Sequence, residues 1–176
     1  SSLIAARAVG NFSQAVMHVP IETVEIAVQT ASSLNADCTI AIGGGSTTGL
    51  GKALALKLKL PNIVIPTTYA GSEMTSVWGI TSGKVKETGR DESVVPTLTI
   101  YDPELTVGLP AAISGPSGIN AMAQAVVNVT AAQPNPIICA LAIDGIRALA
   151  ASLPRVVKQP ADLAARTEAL YGACLA

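Results

Sequence analysis

The sequence is poor in aromatic side chains, in charge and in cysteine. Phe, Trp and Tyr make up 3% of the 176 residues, so any core is built mainly from Ala, Val, Leu and Ile. Charged residues contribute 13%, with a net charge of −1 and no basic stripe, which argues against a nucleic-acid partner. The three cysteines lie far apart and are odd in number, which fits reduced thiols in a cytosolic protein better than disulfides or a zinc site.

The chain also shows none of the patterns that direct a protein to a membrane. Its uninterrupted apolar stretches fall far short of the roughly 20 residues that a membrane span needs. No basic segment followed by an apolar stretch and a cleavage site opens the sequence, so no signal peptide is recognised. We therefore expect a cytoplasmic protein with no membrane partner.

Short apolar runs alternate with helical patterns in the first part of the chain. The predicted helices cover residues 20–36 and about 49–59, and Ser46 or Thr47 is the predicted cap of the second. The predicted strands are 38–42, 62–66 and 95–101, the first of them buried on both faces. Residues 77–101 are richer in turns, and the third predicted strand lies at the end of this stretch. Apolar strands separated by a helix indicate an α/β fold with a parallel sheet.

The second part of the chain has helical patterns and no strand pattern. Helices are predicted near 117–132, 136–152 and 160–175, broken by prolines that include Pro154. The change in character near residue 108 predicts two regions, an α/β region at 1–108 and a helical region at 109–176.

A glycine-rich turn directly follows the first predicted strand. Gly43, Gly44, Gly45 and Ser46 stand between that strand and the next helix. Adjacent glycines let the backbone approach a bulky anion, and the free N–H groups of the following helix can hold it, as in nucleotide pyrophosphate sites. The turn does not match the dinucleotide fingerprint, because Thr48 replaces its third glycine. It does not match the Walker pattern either, because Ser46 replaces the first glycine and Ala53 stands where a Ser or Thr is needed. A tight turn without a ligand is the alternative.

A hydroxyl-rich segment follows the second predicted strand in the same way. It runs from Thr67 to Thr75 and includes Thr68, Tyr69 and Ser72. Ligands of open parallel sheets bind just beyond the carboxyl ends of the strands, which is where both turns are expected. The alternative is a loop whose hydroxyl groups bond only to its own backbone.

Two further groups of polar residues are candidates for a site. Lys86 and Arg90 belong to a charged cluster whose alternative is a solvated loop. Asn120 and Gln124, four residues apart, share one face of a predicted helix and either face solvent or line a cleft.

With these residues the chain resembles the iron-containing alcohol dehydrogenase superfamily, and within it the maleylacetate reductases. The matching stretches are AIGGGSTTGLGKALAL at 41–56, PTTYAGSEMTSVWGIT at 66–81, KETGRD at 86–91, IYDPELTVGLP at 100–110 and SGINAMAQAV at 117–126. Most of the superfamily has an Asp after GGGS, whereas the reductases have the TTGLGKA found here. The resemblance covers essentially the whole chain.

The resemblance implies a dehydroquinate synthase-like fold, in which a dinucleotide-binding α/β domain precedes an all-helical domain and NADH or NADPH binds between them. It also implies reduction of maleylacetate, a small dicarboxylate, to 3-oxoadipate in the degradation of aromatic and chloroaromatic compounds. By this carry-over the residues from Gly43 to Ser46 face the pyrophosphate. Thr67, Thr68 and Ser72 lie along the rest of the cofactor, with Lys86 near its ribose or the substrate.

The resemblance also has departures. Metal-dependent members have an Asp and, four residues later, a His as metal ligands, where this chain has Asn120 and Gln124. Neutral amides are poor ligands for first-row metals, so no metal is expected, and both residues become substrate candidates with Arg90. The family has strands before and histidines after the matched region, so the chain resembles an internal fragment. A homodimer is expected. The alternatives are a non-catalytic nucleotide-binding remnant and a metal-dependent alcohol dehydrogenase.

Overall fold

The computed structural model describes residues 7–176, which form two compact units. The first unit runs to Val64 and also includes Thr75–Thr99, whereas the second consists of Ile65–Met74 and Ile100–Ala176. Each unit has an apolar core of its own. The predicted fold class, a parallel sheet with helices followed by a helical region, is confirmed.

The sheet of the α/β region has three strands in the order β1-β2-β5. The strands are β1 (Thr39–Gly43), β2 (Asn62–Pro66) and β5 (Leu98–Thr99). The accompanying helices are α1 (Ile21–Ser33) and α2 (Gly45–Leu58). β2 and β5 are parallel, with Ile63 opposite Leu98. All these elements were predicted, although β5 is shorter than the predicted third strand.

Strand β1 is buried on one face only, which corrects the prediction of two buried faces. Ala41 is buried beside Gly51 of α2, where an added methyl group would lie 3.0 Å from the Ala41 Cβ. Ile40 and Ile42 point to the opposite face and are 40% and 57% exposed.

Helix α2 starts before its predicted cap. Its first residue is Gly45 and its N-cap is Gly44, with no side-chain capping hydrogen bond. Ser46 and Thr47 therefore lie within the first turn of the helix rather than before it, and the prediction that one of them is the cap was wrong.

The predicted turn-rich stretch contains a β-hairpin. β3 (Val77–Ser82) and β4 (Val85–Arg90) pair antiparallel, joined through Gly83, which has φ 57°. Positive φ at the first position of a two-residue turn favours glycine. Ile80 packs into the core of the first unit with Val24 and Leu50.

The second unit is built on three helices: α3 (Ala111–Val129), α4 (Pro136–Lys158) and α5 (Leu163–Leu175). Its core includes Tyr69, Leu149 and Leu170. Pro154 does not break a helix as predicted, because α4 continues through it with Leu153 and Val156 buried on either side. By length and composition α4 is apolar enough to cross a membrane, and 33% of its most apolar 18-residue window is buried within the structure.

The two compact units divide the chain differently from the predicted boundary at residue 108. Residues 100–108 group with the helices, because Thr106 and Val107 bond to Tyr69 and Arg166 of that unit. The segment at Ile65–Met74 groups with the helices as well. The two compact units do not test the predicted domains at 1–108 and 109–176, which stay a prediction.

Candidate functional site

The glycine-rich turn leaves the start of α2 open. The first helical N–H groups have no intrahelical partner, and no side chain caps them. The backbone N–H of Thr48 is the first to bond back, to the Gly44 carbonyl at 3.0 Å. Gly45 is exposed, whereas Gly43, Gly44 and Ser46 are half-buried. An anion can therefore reach free N–H groups at the positive end of a 14-residue helix.

Two of the adjacent glycines meet different structural demands. A Cβ added to Gly43 would lie 2.5 Å from the Thr47 Oγ1 and 2.9 Å from the Thr47 Cβ, so the fold itself requires glycine there. A Cβ added to Gly45 would meet no atom within 4 Å. The fold would therefore accept a larger residue than glycine at 45. A ligand that lies close to the backbone would require glycine there.

The hydroxyl-rich segment follows β2, the neighbour of β1 in the sheet. Thr67 and Thr68 are half-buried, and Ser72 opens a short 3₁₀ turn, Ser72–Met74. Gly71 has φ 76°, and an added Cβ would lie 3.0 Å from the Ala173 carbonyl oxygen. The segment therefore has a defined conformation packed against α5.

Buried charge lies near the end of this segment. Glu73 is 2% exposed and accepts a hydrogen bond of 2.9 Å from the Tyr101 hydroxyl. Burial, reinforced by the Glu73 carboxylate, raises the pKa of Tyr101, so this phenol stays protonated. In the first unit, the buried Lys52 Nζ donates to the Thr75 carbonyl at 2.7 Å. Sequence reasoning missed Lys52, Glu73 and Tyr101, although each stands in a matched motif.

Lys86 and Arg90 lie on one face of the hairpin. On β4 they pair with Thr81 and Val77 of β3, and both are exposed. Residues two or four apart on a strand share a face, so these two cations point the same way, opposite to the face of the buried Ile80. The predicted charged cluster is therefore a strand with an ordered cationic face, not a loop.

Asn120 and Gln124 are both exposed on α3. The Asn120 Nδ2 donates to the Ala70 carbonyl at 3.4 Å, so this amide contacts the hydroxyl-rich segment. Within residues 7–176, no three side chains of His, Cys, Asp or Glu come together in a way that could hold a metal ion.

A buried arginine that sequence reasoning missed also contacts this segment. Arg166 of α5 donates from Nη1 to the Tyr69 hydroxyl at 2.8 Å, and both side chains are completely buried. The signal was available: Arg166 occupies the same face of α5 as the buried Leu170 and Ala173, at i, i+4 and i+7. A charge on an apolar helical face is rare without a partner.

An α/β region with a parallel sheet and a glycine turn, followed by helices, defines a nucleotide-binding class of fold. The sequence model of the iron-containing alcohol dehydrogenase family matches residues 2–103, and the chain belongs to that family.

Individual relatives and solved structures agree with this assignment. The chain is 55% identical to a maleylacetate reductase of Sphingobium indicum over 97% of its length and 48% of the relative's. Identity to a maleylacetate reductase of Burkholderia cepacia is also 55%, over 99% of this chain and 50% of that protein. The crystal structure of maleylacetate reductase from Rhizobium sp. strain MTP-10005 superposes with a TM-score of 0.93 at 50% identity, covering 99% of this chain and 51% of that one. The chain thus spans about half the length of these relatives.

Proposed function

We propose that the natural gene product containing this chain is a maleylacetate reductase that uses NADH or NADPH. The observation that carries this proposal is the open start of α2 at Gly44 and Gly45, in a chain 55% identical to maleylacetate reductases over nearly its whole length. The reaction adds a hydride and a proton across the carbon–carbon double bond of maleylacetate and yields 3-oxoadipate.

The glycine turn fits the pyrophosphate of such a cofactor. Its uncapped N–H groups supply hydrogen-bond donors, and the open space at Gly45 lets phosphate oxygens come close to the backbone. Gly43, Gly44, Gly45 and Ser46 would hold this group. The bound nicotinamide supplies the hydride, and the residues of this chain orient it.

Thr67, Thr68 and Ser72 are proposed to contact the rest of the cofactor. Their support is the family pattern, together with the defined conformation that Gly71 and the buried Tyr69 give to the segment. Lys86 is proposed to lie near the cofactor ribose or the substrate.

The substrate needs cations for its two carboxylates and a donor for its ketone. Lys86 and Arg90 are exposed cations on one strand face, and Asn120 and Gln124 are exposed amides on α3. We propose these four side chains as candidates for substrate contacts, with Asn120 and Gln124 acting as hydrogen-bond donors.

Iron does not fit the residues that this chain offers. Asn120 and Gln124 stand where metal-dependent members of the family have a carboxylate and an imidazole. Neutral amides are weak ligands for iron or zinc, and no other cluster of ligands exists among residues 7–176. We therefore propose the reaction without a step through a metal.

A cytoplasmic location is proposed with this function. Cys38, Cys139 and Cys174 are all free thiols, which supports a reducing compartment. The homodimer and the absence of nucleic-acid and membrane partners stay predictions.

The test is oxidation of NADH and of NADPH in the presence of maleylacetate, measured on the natural gene product. Calorimetric titration with each cofactor runs in parallel. Turnover with either cofactor supports the proposal, and its absence with both contradicts it. Cofactor binding without turnover would favour the non-catalytic remnant. Metal analysis of the same preparation tests the metal-dependent dehydrogenase.

A further inference from the structure

A fully buried arginine directs its hydrogen bonds to one tyrosine and to backbone carbonyls. The Arg166 guanidinium donates to the Tyr69 hydroxyl at 2.8 Å and to the Pro160 carbonyl at 2.7 Å. Its Nη2 also donates to the carbonyls of Val107 and Leu109, each at 3.3 Å. In the described part of the chain, none of the ion pairs involves Arg166. Burial of a guanidinium is costly, and an apolar side chain would fill the same core more cheaply.

The group that Arg166 holds belongs to the hydroxyl-rich segment. The Tyr69 hydroxyl donates to the Thr106 Oγ1 at 3.3 Å while it accepts from Arg166, so the direction of its proton is defined. The Tyr69 ring is completely buried in the core of the helical unit. Thr67 and Thr68 precede Tyr69 directly, so anchoring of the ring restricts the backbone that carries these two hydroxyl groups.

Helix α3 holds the backbone of the same segment from a second side. The Tyr69 N–H donates to the Ser117 Oγ at 3.3 Å, and the Asn120 Nδ2 donates to the Ala70 carbonyl at 3.4 Å. Helix α5 contributes a further contact at Ala173, two helical turns beyond Arg166, where its carbonyl leaves room only for glycine at residue 71. A short loop segment is thus held by side chains from two helices.

We propose that Arg166 is a positioning residue, which acts through Tyr69 to hold Thr67 and Thr68 in the conformation that binds the nicotinamide cofactor. This inference rests on the proposed function. It goes beyond that function because it assigns to the helical unit a role in cofactor affinity, through a residue that does not touch the cofactor. A rigid support of this kind lowers the ordering cost of binding.

The test uses Tyr69→Phe in the natural gene product, since this variant keeps the ring and loses only the hydroxyl. Tyr171→Phe is the matched control: Tyr171 lies on α5 too, and its exposed hydroxyl bonds to the Asp144 carboxylate at 2.7 Å. Arg166→Lys is a second variant, which keeps the charge but cannot reach the tyrosine and the carbonyls together. Two quantities are measured: hydrogen exchange of the backbone at 65–74 and the cofactor dissociation constant.

We expect Tyr69→Phe and Arg166→Lys to exchange at least about tenfold faster at 65–74 and to bind the cofactor about tenfold more weakly, with kcat changed less than KM. Tyr171→Phe should change neither quantity. A lower melting temperature with unchanged exchange and affinity would overturn the inference, because it would make the pair part of the core only. If the wild-type protein binds neither cofactor, the proposed function fails, and unchanged exchange in Tyr69→Phe separately overturns the support role.

Discussion

Replacement of Gly45 by alanine separates ligand binding from folding. Gly45 is the first residue of α2 and is exposed, and an added methyl group would meet no atom within 4 Å. Alanine is a better helix former than glycine, so Gly45→Ala should leave the free energy of unfolding unchanged or raise it by up to about 1 kcal/mol. On the proposed function, the methyl group would nevertheless stand where a pyrophosphate oxygen approaches the backbone.

The expected loss in cofactor affinity follows from one charge-assisted hydrogen bond. Such a bond contributes about 1.5–3 kcal/mol, so the dissociation constant should rise between about tenfold and about a hundredfold. Affinity should therefore fall while stability stays unchanged or rises. Gly43→Ala behaves differently, because its methyl group would collide with the Thr47 side chain and destabilise the turn itself.

The assay combines urea unfolding with fluorescence titration of NADH. Gly108→Ala is the matched control, because Gly108 is also exposed with open space around an added Cβ and lies far from the turn in sequence. Unchanged NADH affinity in Gly45→Ala, with the protein folded, would refute the reasoning, since the backbone at residue 45 would then have no ligand close to it.

Three further outcomes are expected. Lys86→Ala should raise KM for cofactor or substrate by tenfold or more, equivalent to about 1.4 kcal/mol, whereas Lys84→Ala in the hairpin turn should not; equal effects would return Lys86 to the solvated surface. The backbone N–H of residue 165, and then Arg155, lower the pKa of Asp162 in the folded protein below the unfolded value of 3.8. The carboxylate therefore stabilises the fold fully above pH 3.8, and this stabilisation is lost as the pH falls through the lower pKa of the folded state. The difference in urea midpoint between wild type and Asp162→Ala should accordingly shrink in acid. Leu149→Ala empties a fully buried position and should destabilise by about 2–5 kcal/mol in urea titration.

The order of elements could be predicted because the apolar runs are short and continuous. Strands β1 and β2 follow directly from such runs, and the helices after residue 108 follow from helical patterns without any strand pattern among them. The β3–β4 hairpin could not, because the apolar alternation of β3 covers only the four residues from Trp78 to Thr81, and β4 is exposed at every position except Gly89. Its best signal was the turn at Gly83.

The candidate site was predictable only as separate segments. The glycine turn shows in the sequence because its glycines are adjacent, but which of them the fold needs depends on the Thr47 side chain, one turn into the helix. The support of Tyr69 by Arg166 joins residues 97 apart in the chain. Periodicity places Arg166 on the buried face of α5, yet no local pattern indicates which group its guanidinium would meet.

Whether residue 120 is an amide or a carboxylate determines whether its side chain can donate a hydrogen bond or bind a metal. The Asn120 amide donates a hydrogen to the Ala70 carbonyl, which a carboxylate cannot do, because an ionised Asp only accepts. A carboxylate at 120 would place two acceptors against each other and would weaken the hold on the hydroxyl-rich segment. Binding a metal and holding that segment are thus alternative uses of the same side chain. Because Gln124 is also neutral, Asn120→Asp alone would lose the hydrogen bond without creating the ligand pair of the metal-dependent relatives.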